Sequence, residues 1–342
     1  MRDVDQSDRE LLAQIRADTR VVFRDAIGDA EEVVLLDTPR HQNSGDSIIW
    51  MGERRYLADL DLRIAYHSDL GRFKSSDMKR VSKSAVILLH GGGNLGDIYK
   101  PYDEFRRHIV RTYSDRRIVI LPQSMHYQSP LVRGEAYSDY LRAKDLKVLL
   151  REPQSIDSAR RYFPDLDTRF CFDAAFGAPI EELRSREGHQ LLVLSRTDAE
   201  ARTDSNAYFG NQTDWEFSRL GNLAWRSNIL VGALYKRSPW RLQKLLFGAS
   251  QRANTRCMEM NVAAAIEQFS NSGVVATNRL HAHVLCILLG IPHVVTDNSY
   301  GKIAAVYNAY SGSFSAAHWA DSLSGATIKA EEILSSVSHA NR

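Results

Sequence analysis

At 342 residues and 38.7 kDa, with 44% hydrophobic and 25% charged residues, the chain has the mix of a globular protein and the length of two domains, which excludes a disordered or fibrous chain. Its 44 Lys+Arg against 42 Asp+Glu leave a charge of +2, too small a basic excess for nucleic acid as the main partner. Three widely spaced cysteines, Cys171, Cys257 and Cys286, give neither a disulfide framework nor a metal spacing, so the expectation is a cytoplasmic protein in a reducing compartment.

Short apolar runs separated by helical patterns mark the architecture. Val33–Leu36, Leu62–Tyr66, Ala85–Leu89, Ile118–Leu121, Leu146–Leu150 and Thr168–Phe172 are each four to six residues long and bounded by polar, Gly or Pro residues, as strands buried on both faces are. Helical segments such as Asp103–Thr112 and Ile156–Tyr162 lie between them, which predicts a doubly wound parallel sheet. A second series, Leu191–Leu194, Val274–Thr277 and His293–Thr296, follows Ala178-Pro179. Ahead of Val274 a helix carries Met258, Val262, Ile266 and Phe269 on one face, with Gly273 expected near its end, and a last helix is expected around Ala330–Val337. The fold class is therefore α/β: a Rossmann-like half over residues 1–180 and another over 181–342, both with parallel sheets. Ligands of such sheets bind beyond the carboxyl ends of the strands.

Two of those ends carry Asn-x-Gly-Asp. His41-Gln42-Asn43-Ser44-Gly45-Asp46 follows the first strand, and Gly91-Gly92-Gly93-Asn94-Leu95-Gly96-Asp97 follows the third. Glycine permits close backbone approach to a ligand and a following helix start favours an anion, so Asn43, Gly92, Gly93 and Asn94 are candidate anion or acceptor contacts. Asp46 and Asp97 can meet as a carboxylate pair suited to proton transfer; equally, both can simply cap helices. Residues 91–96 also satisfy G-x-G-x-x-G, but the next strand ends in Pro122-Gln123-Ser124 without the acid that a dinucleotide ribose requires, which argues against NAD and leaves Gln123 as a further loop candidate.

The second half holds the more specific site. Thr277 runs into Asn278-Arg279-Leu280-His281-Ala282-His283, where Asn278 is placed as an N-cap and Arg279 and His281 in a first helical turn. A cation there opposes the helix dipole unless it serves an anionic ligand, and Arg279 offers a planar fork for carboxylate or phosphate. His283 reads as a packing residue. Gly301-Lys302 after the next strand is again an anion-cradling helix start, with Lys302 as the cation; Arg196, after Leu191–Leu194, reaches the same sheet edge or pairs with Asp198.

With these residues assembled, the chain resembles the polysaccharide pyruvyl transferase family over roughly residues 33–310. The resemblance rests on LLDTPRHQNSGDSIIWMGE, HGGGNLGDIY, PQS at 122–124, LREPQS at 150–155, DAAF at 173–176, LSRTDAE, ATNRLHAH and DNSYGK in that order. It implies a fold similar to the two-domain GT-B glycosyltransferases, with the active site in the cleft between the halves, the acceptor on the first and the donor on the second. It also implies phosphoenolpyruvate as donor, a saccharide acceptor that is lipid-linked, and a pyruvate ketal as product. The family's Arg-Leu-His motif falls on Arg279, Leu280 and His281, with Ala282 where the family commonly has Gly.

That chemistry suits the residues. Arg279, Lys302 and Arg196 match a donor bearing carboxylate and phosphate, His281 is placed as general acid, and Asp97 or Asp46 as base. No cofactor and no metal are expected. Alternatives are a GT-B glycosyltransferase using a nucleotide sugar, whose diphosphate fits the same strand ends, and a catalytically inactive sugar- or anion-binding module. Finally, residues 235–256 interleave Lys236, Arg237, Arg241, Lys244, Arg252 and Arg256 with Tyr235, Trp240, Leu245, Leu246 and Phe247, without an acid. Such a segment, with Trp240–Gly248 as its surface helix after the break at Pro239, suits peripheral contact with the inner face of the plasma membrane; it also suits an ordinary half-solvated helix.

Overall fold

The computed structural model describes residues 6–180, 188–196, 212–297 and 301–340. The first half opens with helix α1 (Gln6–Ile27). Strands β1 (Glu32–Leu36), β2 (Arg63–Ser68), β3 (Val86–Leu89), β4 (Gly92–Gly96), β5 (Arg117–His126), β6 (Asp145–Leu150) and β7 (Asp167–Phe170) follow, joined by α2 (Ser44–Asp59), α3 (Lys100–Thr112), α4 (Pro130–Tyr140) and α5 (Pro153–Tyr162). They form one parallel sheet in the order β2-β1-β3-β5-β6-β7, with β4 alongside the far end of β5. The second half contributes β8 (Gln190–Leu194), β9 (Gln212–Thr213), α6 (Arg219–Arg237), α7 (Trp240–Phe269), β10 (Ser272–Thr277), α8 (Leu280–Leu289), β11 (His293–Val295), α9 (Lys302–Ala309), β12 (Ala317–Trp319) and α10 (Leu323–Ala340). Its sheet, also parallel, runs β12-β11-β10-β8-β9. The molecule is thus α/β with two Rossmann-like, GT-B-like sheets.

Strands with no polar face need helices on both sides, and the side chains of β1 and β3 alternate between two cores. Val33, Leu35 and Leu88 face one, with Trp50, Tyr56 and Phe176; Val34, Leu36, Ile87 and Leu89 face the other, with Ile109 and Tyr140. The first of these cores continues across residue 180 into Met258, Val262, Phe269, Leu285 and Val295. The two sheets are therefore separate, while the hydrophobic packing is shared.

Several local expectations are revised. Gly273 lies inside β10 rather than at the end of α7, because the helix stops at Ser270 and the strand begins two residues later. The second Asn-x-Gly-Asp differs from the first: Gly92–Gly96 is a strand, paired with Gln123–His126, and Asp97 opens a short 3-10 turn that leads into α3. Gly96 has φ 140°, a conformation glycine tolerates, and an added Cβ there would collide with the His126 carbonyl. The last helix starts at Leu323, and Trp240–Gly248 is only the beginning of a 30-residue helix. Tyr235 is buried, donating to Asp77 Oδ2 at 2.6 Å, and the half-buried Phe247 stacks on Tyr66 at 5.8 Å against the core, whereas Trp240 and Leu245 are 62% and 80% exposed. Among the described residues, no helix is long and apolar enough to cross a membrane.

Candidate active site

A cleft of about 680 Å³ opens where strand ends of the two sheets face each other. Three helix N-termini supply much of its wall: Asn43, Gly45 and Asp46 from α2, Leu280 and His281 with the capping Arg279 from α8, and Lys302 and Ile303 from α9. The positive dipole end of each helix suits a bound anion, although Asn43 already accepts the Gly45 amide and Asp297 those of Ile303 and Ala304. Gly93, Asn94, Arg151, Arg196, Asp214 and Trp215 complete the wall, with His41, Tyr99 and Tyr102 at one side.

The α8 side is built around buried charge. Arg279 stands at the N-cap and pairs with Asp214. Asn278, predicted as the cap, instead accepts the Arg196 amide at 2.8 Å through Oδ1 and so ties the end of β8 to the start of α8. His281 lies with Nε2 3.4 Å from Asp173 Oδ2 and 3.5 Å from Arg151 Nη1. Arg151, only 2% exposed, donates to Asp173 Oδ2 at 2.6 Å and to Ser124 Oγ at 2.9 Å. Burial alone would raise the Asp173 carboxyl; the charges of Arg151 and His281 outweigh it and hold the group well below the usual carboxylate range. Lys302 donates to the Gly93 carbonyl at 2.9 Å, linking the second sheet's anion site to the first sheet's glycine loop.

On the opposite wall, Asn43 caps α2, accepting the Gly45 amide at 3.0 Å and donating to Asp46 Oδ2 at 2.9 Å. The same Asp46 oxygen is 3.0 Å from His41 Nε2, and Tyr102 Oη is 3.4 Å from His41 Nδ1. Asp46 is pushed up by burial but pulled further down by the His41 hydrogen bond and charge, with His281 and His90 adding to the effect; its carboxyl stays well below the ordinary range. For His41, burial disfavours the proton, and the bond and charge of Asp46 more than reverse this, so its pKa is raised.

The remaining predicted residues hold the loops. Gln123 donates to the His90 carbonyl at 2.8 Å and accepts the Asn94 amide at 3.2 Å, and Arg106 donates to the Asn94 carbonyl at 2.9 Å. Gly92 sits in register with Gln123. Asp97 stands apart from Asp46: its two oxygens accept the Gln128 and Ser129 amides at 2.8 and 2.6 Å, fixing the turn into α4, and it does not line the cleft. His283 is buried against His293 and Ser311 at 2.6 and 2.8 Å. Thr197–Glu200 of LSRTDAE and Asn298–Tyr300 of DNSYGK lie outside the described residues. Among the described residues, no group of three or more His, Cys, Asp or Glu could hold a metal ion. Arg151, His41, Tyr102 and Asp214 line the cleft, with Asp173 behind His281, and none was named as a site candidate, although Arg151 and Asp173 fall in the LREPQS and DAAF stretches and His41 in the first Asn-x-Gly-Asp loop.

The family model described as polysaccharide pyruvyl transferase matches residues 43–300. The chain is 29% identical over 294 residues to the putative pyruvyl transferase EpsO of Bacillus subtilis, covering 84% of this chain and 87% of that one. It is 27% identical to pyruvyl transferase 1 of Schizosaccharomyces pombe, over 82% of this chain and 70% of that one. A crystal structure of a functionally uncharacterized protein from Klebsiella pneumoniae superposes with a TM-score of 0.54 at 19% identity, covering 90% of this chain and 98% of its own.

Proposed function

The chain belongs to the polysaccharide pyruvyl transferase family, and from that premise we propose that phosphoenolpyruvate is its donor and that it forms a pyruvate ketal on two hydroxyls of a surface polysaccharide or its lipid-linked precursor. The observation that carries this reading is the gathering of Arg151, Arg196, Arg279 and Lys302 beside His281 in one cleft, at the N-termini of α8 and α9. A small ligand with a carboxylate and a phosphate needs that number of cationic donors within a few ångströms; a neutral sugar does not.

In the proposed reaction His281 gives a proton to the methylene carbon of the donor, leaving an oxocarbenium ion at the adjacent carbon. Asp173, 3.4 Å behind the imidazole, orients the ring, and the fixed charges of the cleft hold the carboxylate and phosphate in place. One acceptor hydroxyl adds to the cation and loses its proton. Phosphate then leaves with the electron pair of its C–O bond, and the second hydroxyl closes the ketal, losing its proton in turn. Of the two protons released, one replaces that spent on the methyl group and the other leaves with phosphate. We assign the base to His41, with Asp46 holding it: a carboxyl as depressed as Asp46 is a weak base, whereas the His41 imidazole binds a proton more tightly than usual. Leu280 and Ile303 supply the apolar contact for the donor methylene.

Residues 1–180 are then the acceptor side and 181–342 the donor side, with Arg151 and Asp173 reaching across. The reaction as proposed needs no cofactor, and a donor made inside the cell sets it in the cytoplasm. Phosphate release on mixing the protein with phosphoenolpyruvate and a panel of saccharides, read beside nucleotide release from nucleotide sugars with the same panel, tests this reading. Turnover with nucleotide sugars alone would replace it with glycosyl transfer, and turnover with neither would leave an anion- or sugar-binding module.

A further inference from the structure

The helical hairpin α6–α7 carries a surface that the reaction does not use. Between Glu216 and Glu259 the sequence holds eight Lys and Arg and no Asp or Glu, so the remainder of the chain is net acidic. On the same hairpin, Leu220, Leu223, Leu230 and Leu234 of α6 and Trp240 and Leu245 of α7 are all more than half exposed. The four leucines recur at three- and four-residue steps, with Ser227 filling the gap, and so form one stripe along α6. Arg219, Arg226 and Arg237 follow the same steps along one margin of that stripe, and Arg241 and Lys244 lie against the Trp240 ring at 5.6 and 4.8 Å. An interior helix hides its leucines, and a solvated one replaces them; α6 does neither along this face.

We propose that the α6–α7 hairpin docks on an anionic lipid surface, with the leucine stripe and Trp240 entering the headgroup boundary and the flanking cations meeting lipid phosphates. Helices that lie in a membrane interface combine an apolar face with basic residues beside it, and long basic side chains reach outward to headgroups while their stems stay apolar. Charge selects this occupant over a second copy of the chain. Two copies joined symmetrically along this face would bring Arg219, Arg226, Arg237, Arg241 and Lys244 against their own kind, with no acid between Glu216 and Glu259 to offset them.

Docking here also sets the cleft beside the bilayer. Gln42 donates to Asn222 Oδ1 at 2.7 Å, Asn261 donates to the His41 carbonyl at 3.1 Å, and Ser44 donates to the Asn261 carbonyl at 2.9 Å. The loop bearing His41 is thus fastened to the base of the hairpin, from which α6 runs about 28 Å to its tip at the helical rise. Lipid docking stands independently of the proposed reaction; its use in reaching a lipid-linked acceptor rests on that reading.

Cosedimentation of the full chain with phosphatidylglycerol-rich vesicles, compared with pure phosphatidylcholine vesicles, tests the docking without donor or acceptor present. Wild type should bind the anionic vesicles at least tenfold more tightly, with binding weakened by salt. Arg237→Glu/Arg241→Glu/Lys244→Glu and, separately, Leu223→Ser/Leu230→Ser should each lose most of it while keeping the wild-type melting temperature and the wild-type rate on a soluble saccharide. Absence of wild-type binding, equal binding to both vesicle types, or a concentration-dependent dimer broken by Leu223→Ser/Leu230→Ser would overturn the proposal, the last by making the stripe a self-interface. Because binding is read without turnover, failure here leaves pyruvyl transfer standing, and failure of transfer leaves the docking standing.

Discussion

Gly45 and His281 touch across the cleft: a Cβ at position 45 would lie 2.7 Å from the His281 Nδ1 and 3.0 Å from its Cβ. The first turn of α2 and the first turn of α8 therefore meet with no side chain between them, and the imidazole of one half packs on the backbone of the other. Contact this close makes the position of His281 depend on a residue 236 places earlier in the chain.

Gly45→Ala is expected to displace His281 and lower turnover by tenfold or more. Alanine is a better helix former than glycine by about 1 kcal/mol, so the melting temperature should hold or fall only slightly. Turnover and thermal denaturation measured together check this; an unchanged rate with a lowered melting temperature would assign Gly45 to packing alone.

Arg279→Ala should weaken phosphoenolpyruvate binding by more than tenfold, since a charge-assisted hydrogen bond contributes about 1.5–3 kcal/mol. Arg279→Lys should also be impaired, because a point charge cannot reproduce a planar fork. Calorimetric titration with phosphoenolpyruvate measures both.

His281→Gln should lower turnover by about 10²–10⁴ and change donor affinity much less, as removal of a general acid does. A change confined to the Michaelis constant for the donor would make His281 a binding residue.

The His41–Asp46 pair sets a pH dependence of definite sign. The folded pKa of His41 is raised, so the neutral base appears only above 6.5, and kcat/KM should rise with pH through that raised value. Asp46→Asn removes the charge that holds the proton and should move this limb to lower pH. The stability contributed by the pair is fully present below 6.5 and is lost as pH rises through the folded pKa of His41. For Asp46 the folded pKa is depressed, so its contribution is present above 3.8 and disappears as pH falls through the folded value. Rate profiles of wild type and Asp46→Asn, with melting temperatures across the same range, test both statements.

Nine of the twelve strands among the described residues were legible as apolar runs, most of them because a strand buried on both faces has to be apolar throughout; the edge strand β7 is the half-exposed exception. The others, β4, β9 and β12, were not: β4 is Gly-Gly-Asn-Leu-Gly, β9 is a two-residue pairing, and β12 has three residues beginning at Ala317. Such strands are defined by the neighbour they hydrogen-bond to, which local composition does not carry. Within the cleft, Arg279, His281 and Lys302 stood out because cations at helix starts conflict with the dipole. Arg151 and Asp173 lie in the LREPQS and DAAF stretches, but their buried pairing was hidden, since the two are 22 residues apart and only the fold brings them together. Asp97 shows the reverse case: it shares a motif with Asp46, but the Gln128 and Ser129 amides turn its carboxylate to a structural bond.

The central claim is that pyruvate comes from phosphoenolpyruvate by protonation of its methylene carbon. It is tested most directly by incubating the protein with ¹³C-labelled phosphoenolpyruvate and a saccharide acceptor in deuterated water, then reading the product by mass and NMR. The account predicts a ketal that carries the ¹³C label and a methyl group with one deuterium, formed in step with phosphate release and lost in His281→Gln. A saccharide product without the ¹³C label, or a labelled product that still contains an intact enol methylene, would contradict it.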